Sequence, residues 1–194
     1  MISLRFPLIL ASASPRRSHL LRQIGLEFSV HPSEVDESFF SVTEADPSHY
    51  VQLLAETKAL NVASKLTEPS IVLGADTIVV LDGLILGKPT DREDAMRMLK
   101  GLSGRTHTVY TGIALVDSSS EHTSVATAQT EVTFRDLDEE EIIGYIAGGS
   151  PMDKAGAYGI QDDYGAVFVS HIVGCYYNIV GLPLELLYRE LMGF

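Results

Sequence analysis

Ser12-Ala13-Ser14-Pro15-Arg16-Arg17 brings two hydroxyls, two guanidiniums and a proline into six positions. A small-residue loop entering a helix leaves backbone N–H groups where the helix dipole favours an anion, and guanidiniums match phosphate oxygens in pairs. A capped helix with solvated arginines would use the same residues. Gly74-Ala75-Asp76-Thr77 follows an apolar run, so Asp76 falls where a strand runs out, the place at which α/β folds collect ligands. A carboxylate there can bind a metal or take a proton from water, and it can equally cap a turn. Ser33-Glu34-Val35-Asp36-Glu37 offers carboxylates to a hard divalent cation, or is a solvated acidic loop. Gly156-Ala157-Tyr158-Gly159-Ile160-Gln161 allows close backbone approach to a ligand, ahead of an amide that offers one donor and one acceptor. That pair matches N3–H and O4 of uracil or thymine; an ordinary turn is the alternative. Glu56, Lys58, Lys88, Asp153 and Lys154, taken singly, read as surface charge.

The elements that must position these residues are legible in outline. Leu8–Ala11 reads as a buried strand, followed by a helix that opens at Pro15 and stops at Gly25, and then a strand over Glu27–His31. A polar loop runs from Pro32 to Ala45. Asp46 and Pro47 open a long helix towards Ala63, with Val51, Leu54, Ala55, Ala59 and Val62 on one face. Ser70–Ala75 and Ile78–Leu81 are strand segments interrupted by Asp76-Thr77, and Asp82-Gly83 signals a hairpin into Leu84–Leu86. Thr90 to Glu93 forms a capping box for a helix ending near Leu102, closed by Gly104. Thr106–Val116 and Thr123–Phe134 are long strands joined by Ser118-Ser119-Ser120. Glu139–Ala147 is a short helix, Pro151–Gln161 a glycine-rich loop, Val167–Ile172 and Tyr176–Val180 strands, and Leu184–Met192 a final helix. This order gives an α/β chain with a mixed sheet.

Bulk properties exclude several classes. The 194 residues suit one domain or two joined lobes, and 45% hydrophobic residues can build a core at that length. A formal charge of −12 opposes an extended nucleic-acid partner, although a small polyanion needs only a local basic cluster. A single cysteine, Cys175, excludes an intrachain disulfide, and the six histidines show no zinc-type spacing. Phe6–Ala11 is too short and too proline-broken for a secretory leader, and no run reaches the ~20 apolar residues of a membrane span. A cytoplasmic protein is expected. Gly83-Leu84-Ile85-Leu86-Gly87-Lys88-Pro89 is not a P-loop, because the glycine spacing is one short and Pro89 replaces the magnesium-binding hydroxyl.

Ser12–Arg17, Asp36-Glu37, Glu56-x-Lys58, Gly74–Thr77, Gly87-Lys88-Pro89, Ser103-Gly104-Arg105-Thr106-His107, Pro151–Gln161 and Gly181-Leu182-Pro183, in this order and nearly end to end, resemble the Maf family of nucleotide pyrophosphatases. The resemblance implies one Maf-like domain over residues 1–194, with an ITPase-like fold: an elongated mixed sheet flanked by helices, in two lobes with a central cleft. It implies release of pyrophosphate by water attack at the α-phosphorus, a divalent Mg or Mn ion, and a homodimer. Asp76 matches the family's proton acceptor and Glu37 its second essential acid, with both carboxylates near the metal. Ser14, Arg17, Lys58, Lys88 and Lys154 match residues that line the triphosphate pocket. Arg16, Thr77 and Gln161 match the branch that takes dTTP and UTP, and Gln161 and Arg16 oppose an inosine-type purine enzyme. Asp162-Asp163-Tyr164 departs from the short turn usual after Gln161. A nucleotide-binding regulator of septum formation, acting through a partner, is the alternative that intact Glu37, Asp76 and the basic residues of the pocket disfavour.

Overall fold

The computed structural model describes residues 4–37, 46–120, 122–161 and 164–194. Asp162 and Asp163, and residues 38–45 of the Pro32–Ala45 loop, lie outside them. Seven strands form one mixed sheet: β1 (Leu8–Leu10), β2 (Phe28–Val30), β3 (Ile71–Leu81), β4 (Leu84–Leu86), β5 (Thr106–Asp117), β6 (Thr123–Phe134) and β7 (Val169–Val173). Their order is β2-β1-β3-β5-β6-β7, with β4 on β3. β1 pairs parallel with β2 and β3, with Leu10 opposite Val30 and Leu73; β4 and β7 pair antiparallel with β3 and β6. The helices are α1 (Pro15–Gln23), α2 (Pro47–Ala63), α3 (Arg92–Leu102), α4 (Glu139–Ala147), α5 (Tyr176–Val180) and α6 (Leu184–Gly193). Among the described residues no helix is long and apolar enough to cross a membrane.

The chain divides into two compact units. The first holds residues 1–76, 111–128 and 181–194. Its core sets Ile9, Val72, Ala114 and Val116 of the strands, with Ala11 just past β1, against Ala55, Ala59 and Val62 of α2. The second holds residues 77–110 and 129–180, around Val79, Leu99, Val132, Phe134, Ile142, Tyr158 and Phe168.

Several local expectations change. β3 runs without a break through Asp76 and Thr77, so Asp76 is an interior strand residue and not a strand end. Tyr176–Val180 is a helix, not a strand. The aromatic and β-branched composition favours extended structure, but tertiary contacts override it. Buried Asn178 donates to the Val109 carbonyl at 2.9 Å and to Thr130 Oγ1 at 3.0 Å, which the helical turn makes possible. The cap of α3 sits one residue later than Thr90: Asp91 accepts from Asp94 N at 2.7 Å, and Asp94 accepts from Thr90 N at 3.1 Å. The glycine-rich loop forms two 3-10 turns, Ser150–Asp153 and Ala155–Ala157.

Two glycines set the distance between α2 and the sheet. A methyl group on Gly74 would overlap the Ala55 carbonyl and stand 2.9 Å from Ala59 N; one on Gly112 would overlap the Val51 carbonyl. The helix backbone therefore rests directly on β3 and β5. Overlap with backbone cannot be relieved by a rotamer change. Gly74→Ala is expected to destabilise the protein by about 3 kcal/mol or more, read as a lower urea midpoint. An unchanged midpoint would contradict this packing.

Candidate active site

Strand alternation turns this close approach into chemistry. Val72, Gly74 and Asp76 project from the same face of β3. Val72 packs on α2 and Gly74 lets the helix approach, so Asp76 faces α2 as well. Lys58 stands one helical turn beyond Ala55 and two turns beyond Val51, on the buried side of α2. Its ammonium lies 2.6 Å from Asp76 Oδ1. It also lies 2.7 Å from Glu37 Oε1. Lys58 and Asp76 side chains are each 11% exposed, whereas Glu37 is 50% exposed. One buried cation thus holds two carboxylates that are 39 positions apart in the chain. Burying Asp76 unpaired would cost several kcal/mol, so the ammonium makes its interior strand position tolerable.

The loop that brings Glu37 to this point is pinned along α2. Asn61 Oδ1 accepts from Glu34 N at 3.1 Å, and Lys65, just past the helix, pairs with Glu34 at 2.6 Å. Glu34 and Glu37 are therefore held by different lysines. Among the described residues, no group of three or more His, Cys, Asp or Glu side chains gathers to hold a metal.

Arg17 belongs to the same neighbourhood. Its Nε donates to the Gly181 carbonyl at 2.8 Å and its Nη1 to Ser12 Oγ at 3.0 Å. Burial lowers its pKa most, against the opposing charge of Asp76, with smaller effects from Arg16 and Glu37. Ser14 is the N-cap residue of α1, and Pro15 occupies the first turn as expected. Ser14, Arg16, Arg17, Glu37, Lys58 and Asp76 thus all lie in the first unit. Tyr50, on the first turns of α2, was not anticipated. Its phenol is raised chiefly by burial and then by the charges of Asp76 and Glu37, so it lies in the field of both acids and stays protonated at neutral pH. Its sequence signal is its place one residue before Val51, on the face that carries Lys58.

Thr77, Lys88, Lys154 and Gln161 belong to the second unit. Thr77 follows Asp76 in β3 and projects from the opposite face of the strand. Gly156 N donates to the Gly87 carbonyl at 3.0 Å, which ties the segment bearing Lys154 and Gln161 to the one bearing Lys88. Lys154 pairs with Asp153 at 2.9 Å, with its side chain 11% exposed. Lys88 is exposed and Gln161 half-buried.

The model of a family described as Maf-like protein matches residues 7–194. The chain belongs to that family. A dTTP/UTP pyrophosphatase of Moorella thermoacetica is 52% identical, over 91% of this chain and 89% of its own. One of Bacillus cytotoxicus is 53% identical, over 96% and 94%. Among solved structures, a HAM1 protein from Coxiella burnetii matches with a TM-score of 0.51 at 15% identity, over 97% of this chain and 100% of its own. The Staphylococcus aureus Ham1 protein matches at 0.50 and 17%, over 96% and 98%. These two likenesses concern the fold alone.

Membership of the Maf-like family sorts the remaining motifs by what they touch. In Ser103–His107, Ser103 Oγ accepts from Leu137 N at 2.8 Å and Gly104 takes a left-handed turn at φ 67°. Arg105 pairs with Asp82 of the β3–β4 turn, and His107 meets Tyr158. These contacts build scaffold. Gly181, at φ 112°, presents the carbonyl that holds Arg17.

Proposed function

We propose that this Maf-like protein hydrolyses dTTP and UTP to the monophosphate and pyrophosphate at the Glu37–Lys58–Asp76 cluster. The observation that carries the reading is the single buried ammonium clasping both acids, in a chain about half identical to proteins named dTTP/UTP pyrophosphatase. A pure nucleotide-binding regulator has no need to bury a carboxylate for proton transfer.

In the reaction, Asp76 accepts a proton from water as its oxygen bonds to the α-phosphorus, and the bond to the bridging oxygen breaks. Negative charge moves onto the departing pyrophosphate. Ser14, Arg17, Lys58, Lys88 and Lys154 are assigned to the triphosphate, where fixed cations stabilise charge that develops only in the transition state. Two hard carboxylates already gathered around one cation fit a magnesium or manganese ion, which Glu37 and Asp76 would hold. When bound, that ion polarises the phosphate and offsets its charge. Glu37, half-exposed and on a loop, is the acid that would turn towards it. Arg16, Thr77 and Gln161 are assigned to base choice, with the Gln161 amide facing N3–H and O4 of the pyrimidine. Action as a homodimer in the cytoplasm completes the proposal.

The test is pyrophosphate release across dTTP, UTP, CTP, dATP, dGTP and ITP with Mg²⁺ or Mn²⁺. dTTP and UTP are expected to exceed the purines by about tenfold or more, as a site built to pair a base's polar edge rejects a mismatched one. Gln161→Glu is expected to erase about tenfold of that preference, because an acceptor replaces the donor to O4. Orthophosphate as the first product, or ITP turned over as well as dTTP, would overturn the function. An unchanged profile in the Gln161 variant would remove only the base-pairing role.

A further inference from the structure

One buried polar pair takes no part in the chemistry above. His107, the second residue of β5, is 2% exposed, and its Nε2 lies 2.8 Å from Tyr158 Oη. Phe134 closes the group edge-on, with ring centroids 5.0 Å from His107 and 4.8 Å from Tyr158. Burial lowers the imidazole pKa to about 4 and raises the phenol far above its ordinary value, so both groups are neutral at pH 7. Nδ1 of His107 has no hydrogen-bond partner among the described residues. A leucine facing a phenylalanine would fill the same volume without that cost, so stability alone does not account for the pair.

What Tyr158 belongs to supplies a reason. It lies between Lys154 and Gln161, in a segment whose backbone is bent at Gly156 (φ 68°) and Ala157 (φ 60°). A non-glycine residue at such an angle persists only where its surroundings hold it. Gly156 N is fixed on the Gly87 carbonyl, and Gly159 N donates to the buried Tyr145 Oη at 3.1 Å. Between these two backbone anchors, the Tyr158 side chain is fastened to the sheet through His107.

We propose that His107 is a positioning residue: by its hydrogen bond to Tyr158 it fixes the Gly156–Gln161 segment, and with it the direction in which Gln161 is presented. The consequence for base choice rests on the Gln161 reading above; the fixing of the segment does not.

The experiment uses the full chain and three substitutions. Tyr158→Phe removes one oxygen, His107→Leu removes both ring nitrogens, and His107→Gln returns an amide nitrogen to the place of Nε2. Two quantities are read: hydrogen exchange of the peptide covering residues 155–161, and the ratio of kcat/KM for UTP over CTP. Tyr158→Phe and His107→Leu are expected to speed exchange about tenfold, His107→Gln to stay within about threefold of the unaltered protein, and the double variant to be no faster than either single one. The UTP/CTP ratio is expected to fall about fivefold in Tyr158→Phe, with kcat on UTP within about twofold, and to recover in His107→Gln.

Unchanged exchange in Tyr158→Phe would overturn the proposal, as would His107→Gln behaving like His107→Leu, since ring packing would then suffice. Faster exchange with the ratio unmoved in both Tyr158→Phe and Gln161→Glu supports the fixing of the segment and removes the Gln161 reading instead. Faster exchange with a ratio that moves only in Gln161→Glu overturns the role of His107 in presenting that amide.

Discussion

Asp76→Asn is expected to lower pyrophosphate release from dTTP by about a thousandfold, the range lost when a positioned general base is removed. The substitution is nearly isosteric. The Asn carbonyl oxygen can still accept from the Lys58 ammonium, and Glu37 still pairs with that ammonium at 2.7 Å. Folding is therefore expected to survive, with a thermal midpoint close to the unaltered protein's. What disappears is the ability to take a proton from water and one negative charge available to a divalent ion. The loss should fall on kcat, with KM for dTTP changed by less than about tenfold. Turnover near that of the unaltered enzyme would take Asp76 out of the chemistry.

The second large effect is expected at Lys58. Lys58→Met keeps a straight side chain of similar length on the buried face of α2 but deletes the ammonium that Glu37 and Asp76 share. Two like charges are then left side by side, one of them almost fully buried. Removing one partner of a buried ion pair costs about 3–5 kcal/mol. Glu37 is half-exposed and water screens it, so a loss of about 2–3 kcal/mol is expected here. Activity should fall about a hundredfold or more, because the proposed phosphate contact disappears along with the group that pairs with both acids. Mg²⁺ or Mn²⁺ should raise the thermal midpoint of this variant more than that of the unaltered chain, since a second cation can replace the missing one. A variant as stable and as active as its parent, indifferent to both ions, would reduce the cluster to an incidental surface pair.

The reach of the sequence differed between scaffold and site, and the reason is physical. Signals that depend on neighbouring residues were legible. Pro15 and Asp46 mark helix starts, and Asp82-Gly83 turns β3 into β4 with both residues at positive φ. Thr123–Phe134 is a strand over the span read from the sequence. Signals that depend on a distant partner were not. Asp76 reads as the end of a strand because an unpaired carboxylate does not belong inside one, and only the approach of Lys58 removes that objection. Tyr176–Val180 reads as a strand because the hydrogen bonds that favour its helix come from Val109 and Thr130.

Lys58 is the instructive case. Taken alone it is a surface charge, yet it falls seven residues after Val51 and four before Val62, in register with the apolar face of α2. A lysine in phase with a buried stripe needs an anion inside the fold. That phase, rather than the residue itself, is the sequence signal for the cluster. Gly74 carries a similar hidden meaning, since only the structure shows that its missing side chain admits the backbone of α2.

Hydrolysis of dTTP in ¹⁸O-labelled water, followed by mass spectrometry of both products after one turnover, tests the reaction most directly. Attack at the α-phosphorus places the heavy oxygen in dTMP and leaves pyrophosphate unlabelled, with the labelled product nearly absent for Asp76→Asn. Label found in the pyrophosphate, or an Asp76→Asn protein that forms labelled dTMP at the parental rate, would contradict the mechanism.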